Sequence, residues 1–141
     1  MKKEKIIIRV LETSDKEFKL WDTFVDRHKL GSIFFSSKWL KAIEEGLRCK
    51  PMHLIVEKES NIIGCLPCFI EYIKKFKRLS SIPQGGSGFL LGSSMESSLK
   101  LILDKVKEFL SEEGLVSHRI IINDLQQLQY GGYLYKYSYK L

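Results

Sequence analysis

The stretch NIIGCLPCFIEY, residues 61–72, holds Cys65-Leu66-Pro67-Cys68, a C-x-x-C with proline in third place. A redox motif of this spacing needs a lowered thiol pKa, usually supplied by amide dipoles at a helix N-terminus. Here glycine and β-branched residues surround the pair, and no helical periodicity begins after Cys68. The stretch reads as a strand, in which residues three apart point to opposite faces unless Pro67 introduces a bulge. Zinc is the alternative. Cys49, His53, Cys65 and Cys68 supply four suitable donors, but structural zinc pairs sit on tight turns and His53 falls in a strand pattern. Two buried strand cysteines are the expected outcome, with no metal site.

With residues 62–70 as a strand, its neighbours follow. Met52 to Glu57 alternates like a strand, Lys58-Glu59-Ser60-Asn61 is a turn, and together they predict a hairpin. A second, basic turn, Lys74-Lys75-Phe76-Lys77-Arg78, leads to a third short strand at Leu79 to Ile82. It is the one dense cationic patch in the chain and reads first as a solvated turn. Upstream, residues 5–11 form a β-branched run. Ser14-Asp15-Lys16-Glu17 then has capping-box form. Phe18, Trp21, Phe24, Val25 and His28 recur at helical spacing, with a stop near Leu30-Gly31. Ser36 or Ser37 can cap a second helix whose apolar face is Trp39, Leu40, Ile43 and Leu47. Asp22, Asp26, Glu44 and Glu45 on these helices read as solvated faces.

Downstream, Leu99, Ile102, Leu103, Val106, Phe109 and Leu110 mark the clearest amphipathic helix, ended by Gly114. His118 marks the edge of a strand over residues 119–123, and the tail YGGYLYKYSYKL suits a last strand. The order is β-α-α-β-β-β-α-β, with a further strand in the tail. This predicts an α/β (α+β) domain with a mainly antiparallel mixed sheet and at least one crossover helix.

The chain has 141 residues, 44% apolar and 28% charged, which suits one globular domain. No apolar stretch reaches the roughly 18 residues of a membrane span. The basic start is followed by only five apolar-patterned residues, interrupted by Arg9, which does not make a signal peptide. Three cysteines do not form a secreted disulfide framework, so a cytoplasmic location is expected. The net charge of +6 suits an anionic ligand such as a phosphate-bearing donor or tRNA, and equally suits solubility.

No nucleophile elbow, Walker loop or paired-histidine motif is present. Pro83-Gln84-Gly85-Gly86-Ser87-Gly88 is a glycine-rich loop after a strand and before the long helix. A pyrophosphate loop of an acetyl-CoA-binding fold takes that position, since glycine lets backbone amides approach phosphate. The acetyltransferase pattern Q/R-x-x-G-x-G/A is not met, because Ser87 and Phe89 stand at its fourth and sixth places.

An ordered set of motifs carries a resemblance. W-x-x-F-V lies at residues 21–25 and F-x-S-x-x-W at 34–39. A Pro-x-x-L strand starts at Pro51, I-x-G-x-L-P lies at 62–67, and S-x-P-x-G-G at 81–86. Over about 90 to 120 residues the chain resembles the N-terminal half of FemAB-like proteins, the peptidoglycan-bridge aminoacyltransferases and their relatives. The resemblance implies a GNAT-like fold, with residues 1–141 as a single domain and one half of a two-domain architecture. It implies transfer of an acyl or aminoacyl group to an amine acceptor in cell-envelope metabolism. The donor would be acyl-CoA or aminoacyl-tRNA, with tRNA a partner only in that role. The second half would follow in frame, be another chain or be a second copy. The alternative is a non-catalytic module that kept the scaffold. Phe35, Ser36, Ser37 and Trp39 match the family's second-helix start, and Gln84, Gly85 and Gly86 match its cleft-facing loop. These are the candidate substrate-binding residues. Core packing for Trp39 and helix capping for Ser36 account for them equally. No catalytic base can be assigned.

Overall fold

Pro67 has no N–H to give to a ladder, and the structure, a computed structural model, breaks its longest strand there. The described residues are 5–29, 31–81, 90–91, 95–115 and 117–119. In chain order they form β1 (Ile6–Val10), α1 (Asp15–Arg27), a 3-10 turn (Ile33–Phe35), α2 (Ser37–Leu47), β2 (Lys50–Pro51) and β3 (Leu54–Lys58). There follow β4 (Asn61–Leu66), β5 (Cys68–Ile73), β6 (Phe76–Ser81), β7 (Leu90–Leu91), α3 (Met95–Glu112) and β8 (His118–Arg119). The strands group as β1-β3-β4-β7 and β2-β5-β6-β8. Every pairing is antiparallel except β6 with β8.

The two groups are halves of one hairpin. Leu54 faces Leu66 on one side of the break, and Pro51 faces Phe69 on the other, in the same register. Between them the Met52 N–H donates to the Cys68 carbonyl at 2.9 Å. The Cys68 N–H donates to His53 Nδ1 at 3.1 Å. An imidazole thus accepts a backbone donor where the ladder is interrupted. The expected strand at 62–70 is divided at Pro67, and the one expected at 52–57 begins two residues later, at Leu54, with β2 on the other side of the gap. A bulge between Val56 and Glu57 shifts the register toward the hairpin end. The turn there puts Glu59 and Ser60 at φ of 52° and 65°, the left-handed pair that a two-residue hairpin loop requires.

Leu54, Ile55 and Val56 are all fully buried. Successive strand residues face opposite ways, so both sides of the sheet are covered here. α1 packs against β4 and α3 against β1. Trp21, Phe35, Phe69, Leu40, Leu79 and Leu90 are the large side chains at the centre. Cys65 and Cys68 are buried inside this core and form no disulfide with each other. Burial first, and then the nearby Asp22 charge, pushes the Cys65 thiol well up; burial alone pushes up Cys68. They pack as small apolar residues, as the strand reading expects. Cys49 is half-buried, and burial followed by Glu71 raises it.

Local signals set the helix ends. The Ser14 hydroxyl accepts from the Glu17 N–H at 3.3 Å. The reciprocal half of the capping box is not made, because the Glu17 carboxylate goes to Arg9 at 2.6 Å. Arg9 also reaches Glu57 at 2.7 Å, which ties α1 to β1 and β3. Its guanidinium is held charged by the hydrogen bonds it donates to Glu17 first and to Glu57 second. α1 stops at Arg27, three residues before the expected Leu30. A side chain at Gly31 would meet the Val25 carbonyl at 2.0 Å, so glycine is required for the chain to pass the helix end. α2 ends on Arg48 in the left-handed region, at φ 51°. Gly114, at φ 68°, closes α3: Leu115 N–H donates to the Leu110 carbonyl at 2.9 Å and its side chain is buried. Along α3, Leu103 and Val106 are buried and Phe109 and Leu110 partly so. The expected strand beyond Arg119 and the tyrosine-rich tail lie outside the described residues. Among the described residues no helix is long and apolar enough to cross a membrane.

Burial lowers the His53 pKa from 6.5 to about 4. The unfolded chain therefore takes up a proton near 6.5 that the native chain refuses until near 4. Stability from this site is complete above the unfolded pKa and falls as pH drops toward the folded one, by about 3 kcal/mol in total. Urea unfolding at steps between pH 7.5 and 4.5 should show this loss in the wild type. A His53→Leu variant should lack it and start about 1–3 kcal/mol lower at neutral pH, with the Cys68 N–H left unpaired.

Candidate functional site

Two regions have the ingredients of a site. The first is the corner between α1 and α2. The Ser32 hydroxyl accepts from Phe34 N–H at 3.3 Å and starts the 3-10 turn. Ser36 ends that turn and begins α2. Its hydroxyl donates to the Ile33 carbonyl at 2.7 Å and accepts from Trp39 N–H at 3.3 Å. Two α1 side chains lock the corner in place. Trp21 Nε1 donates to the Phe35 carbonyl at 2.7 Å. The Asp22 carboxylate accepts from Ser37 N–H at 2.8 Å and from the Ser37 hydroxyl at 2.5 Å. Asp22 is thus a half-buried cap on a neighbouring helix, which corrects its reading as a solvated face. Asp26 and Glu45 are exposed as expected, while Glu44 is half-buried.

Of the sequence candidates, Phe35 is buried and Ser37 is buried and bonded to Asp22. Ser36 holds the helix start. Trp39 stands apart. It is half-buried and edge-on to Phe34, with ring centroids 5.4 Å apart. Its Nε1 is buried without an acceptor among the described residues. Ile33 and Phe34 beside it are 69% and 42% exposed. The corner therefore presents an apolar lip of Ile33 and Phe34, with the unpaired Trp39 N–H buried behind it. Gln84, Gly85 and Gly86 lie outside the described residues.

The second region is the parallel pair. Leu79 faces His118 and Ser80 faces Arg119, with Leu79 N–H on the Ser117 carbonyl at 2.9 Å. α3 is the crossover between these strands. β6 ends at Ser81, opposite Cys68, and the chain is back on the same edge at Leu90, opposite Cys65. Residues 82–89 make that connection. They therefore leave from the carboxyl end of the parallel pair, where open α/β sheets place their ligands. The sequence reading placed a strand at 119–123 after a crossover helix, but its parallel register with β6 joins residues about forty positions apart, which no local pattern announces.

The buried titratable groups do not serve either region as acids or bases. His53 is neutral and its Nδ1 is occupied by the Cys68 N–H, which leaves that lone pair closed to a metal. Its ring packs on Trp21 and Phe69, at 5.8 and 4.9 Å between centroids. Among the described residues no group of three or more His, Cys, Asp or Glu could hold a metal ion.

No family model matches this chain, and no curated protein matches it. Solved structures do. An aminoglycoside N-acetyltransferase, AAC(6')-Iy, determined in complex with CoA, superposes with a TM-score of 0.63 at 11% identity. The match covers 99% of this chain and 91% of that one. A possible acetyltransferase from Clostridium difficile 630 gives 0.63 at 13% identity, over 96% of this chain and 91% of the other. The chain has the fold of the GNAT acetyltransferases. FemX gives a TM-score of 0.56 at 18% identity, over 76% of this chain but 25% of its own length. The GNAT-like fold expected from the motifs is therefore found, with a mixed, mainly antiparallel sheet flanked by helices.

Replacing Asp22 by Ala should cost about 1–3 kcal/mol, because the Ser37 N–H and hydroxyl lose their buried acceptor. The exposed Asp26→Ala should stay within about 0.5 kcal/mol of wild type. Paired urea titrations check the difference, and amide exchange should localise the loss to the first turn of α2.

Proposed function

We propose that this chain is an acyltransferase domain of GNAT type, which moves an acyl group from acyl-CoA to an amine acceptor. The observation that carries the reading is the parallel β6–β8 pair, with the glycine-rich connection leaving from its carboxyl end and α3 crossing over. The near-complete overlap with two acetyltransferases supports it. In this reading Gln84, Gly85 and Gly86 lie on the donor's pyrophosphate. Glycine at these places lets backbone amides approach the phosphate oxygens. The corner of Ile33, Phe34 and Trp39 borders the acceptor.

The chemistry asks little of the protein beyond placement. The amine nitrogen attacks the thioester carbonyl, the carbon–sulfur bond breaks, and CoA leaves as the thiol after taking a proton. The nitrogen loses one proton on the way. Fixing the amine against the carbonyl and polarising the oxygen supply the rate enhancement.

A second reading rests on the FemX overlap and the ordered motifs at residues 21–86. In it the chain is the N-terminal half of a FemAB-type aminoacyltransferase of cell-envelope metabolism, with aminoacyl-tRNA as donor. Activity would then need a second GNAT-like half, in the same polypeptide, in a separate chain or in another copy. Without that half, the domain would act as a binding module.

Calorimetric titration separates these readings. Acetyl-CoA should bind with a dissociation constant between about 1 μM and 1 mM, and amines should then release free CoA. Gly85→Val with Gly86→Val should weaken binding at least about tenfold without lowering the melting temperature. Absence of acetyl-CoA binding, with aminoacyl-tRNA bound instead, would favour the second reading. Binding of neither would leave the non-catalytic module.

A further inference from the structure

The densest charge in the chain plays no part in the proposed donor site. Lys74 and Lys75 form the turn between β5 and β6, and Lys77 and Arg78 follow as the second and third residues of β6, so the expected five-residue basic turn is only two residues long. Arg78 is bound to Glu71 at 2.7 Å. The three lysines have no carboxylate partner among the described residues, and they account for half of the chain's formal excess of +6. β6 runs six residues away from this turn before residues 82–89 begin. At strand rise, Lys74 and Lys75 lie roughly 20 Å or more from the Ser81 end of the strand, and Lys77 roughly 13 Å. Lys74 and Lys75 are too far from that end to serve the phosphates of a donor bound there.

The same tip exposes two aromatic rings. Tyr72 is 67% exposed and Phe76 51%. Lys75 Nζ lies 5.7 Å from the centre of the Phe76 ring, so its ammonium is folded back over the aromatic. Lys74 takes a left-handed φ of 55° to make the turn. Cations around exposed rings suit either a nucleic acid or an anionic lipid surface, and the register decides between them. Tyr72 faces Lys77, while Phe76 faces Ile73. Directly opposed residues share a face and neighbours alternate, so Tyr72 and Phe76 lie on opposite faces of the ribbon. A single strand of nucleic acid needs its stacking rings along one groove. A ribbon that enters a headgroup layer tip first uses both faces at once.

We propose that the β5–β6 hairpin tip is an anchor that docks this protein on an anionic membrane surface. Tyr72 and Phe76 enter the interfacial layer, where amphipathic and aromatic side chains are favoured. Tyr72 is two residues from the turn, about 7 Å along the strand, which is within the depth that interfacial segments reach. Lys74, Lys75 and Lys77 pair with lipid phosphates, their long stems letting the ammonium groups rise out of the apolar zone. The anchor does not depend on the acyltransferase reading.

Co-sedimentation with lipid vesicles tests it. Wild-type protein should bind vesicles of phosphatidylcholine with 30 mol% phosphatidylglycerol at 0.1 M salt, bind pure phosphatidylcholine weakly, and lose affinity at 0.5 M salt. The triple change Lys74→Ala, Lys75→Ala, Lys77→Ala should cut partitioning about a hundredfold, roughly fivefold for each charge. Tyr72→Thr with Phe76→Thr keeps strand-forming residues at both positions. It should cut partitioning about tenfold and leave salt sensitivity in place. Both variants should keep the wild-type melting temperature within a few degrees, so a fall in partitioning is not a failure to fold. No binding to the anionic vesicles, or equal binding by wild type and both variants, would overturn the proposal. Binding of polyuridylate that these substitutions abolish, with vesicles left unbound, would overturn it in favour of a nucleic-acid partner.

Discussion

One hydrogen bond sits where the sheet changes partners: the Cys68 N–H donated to His53 Nδ1. Pro67 interrupts the long strand at residues 61–73, and a buried gap in a ladder leaves donors that must be met. The imidazole meets one of them from the opposite strand, so the register is the same on both sides of the gap. His53 can do this only while neutral, and its burial among Trp21 and Phe69 keeps it so. The break lets one hairpin serve two sheet halves. β4 carries β3 and β7, and β5 carries β2 and β6. β6 in turn carries β8, the parallel partner on which the proposed donor site depends.

The corner between α1 and α2 hangs from the same core. Trp21 touches the His53 ring and donates its indole N–H to the Phe35 carbonyl. One residue on, Asp22 caps α2. Two adjacent side chains of α1 therefore fix the corner that presents Ile33, Phe34 and Trp39, while Arg9, Glu17 and Glu57 fix α1 to the sheet. Polar contacts near the surface orient the helices; apolar burial of Trp21, Phe35 and Leu40 holds them there. β6 then separates two ends of the molecule with different chemistry. Its carboxyl end adjoins the glycine-rich connection, and its start carries the lysines and exposed rings.

Short-range features were the ones legible in the sequence. The Ser14 and Ser36 caps, the Glu59-Ser60 turn, the α3 periodicity and the Gly114 stop all depend on residues within about five positions of one another, and all are found. The two core cysteines were also legible, because a strand context gives thiols no helix dipole. Contacts between distant residues were not legible. Nothing near Asp22 announces that Ser37 will need its carboxylate, and nothing near Glu17 announces that Arg9 will divert it from the capping box. The gap in the hairpin depends on His53 facing Pro67, which only the hairpin register reveals. Of the candidate site, the Phe35–Ser37 run was correctly placed at the start of α2, but its polar groups are spent on internal bonds. Trp39 alone keeps a spare donor.

The central claim is that a CoA donor lies against the carboxyl end of the β6–β8 pair. Backbone amide chemical shifts, followed by NMR while CoA is titrated into labelled protein, test it most directly. The account predicts that the largest shifts fall on Leu79, Ser80, Ser81, residues 84–88 and Arg119, and that Lys74, Lys75 and Lys77 stay unmoved. Shifts concentrated on the three lysines, with Leu79 to Ser81 unaffected, would contradict it.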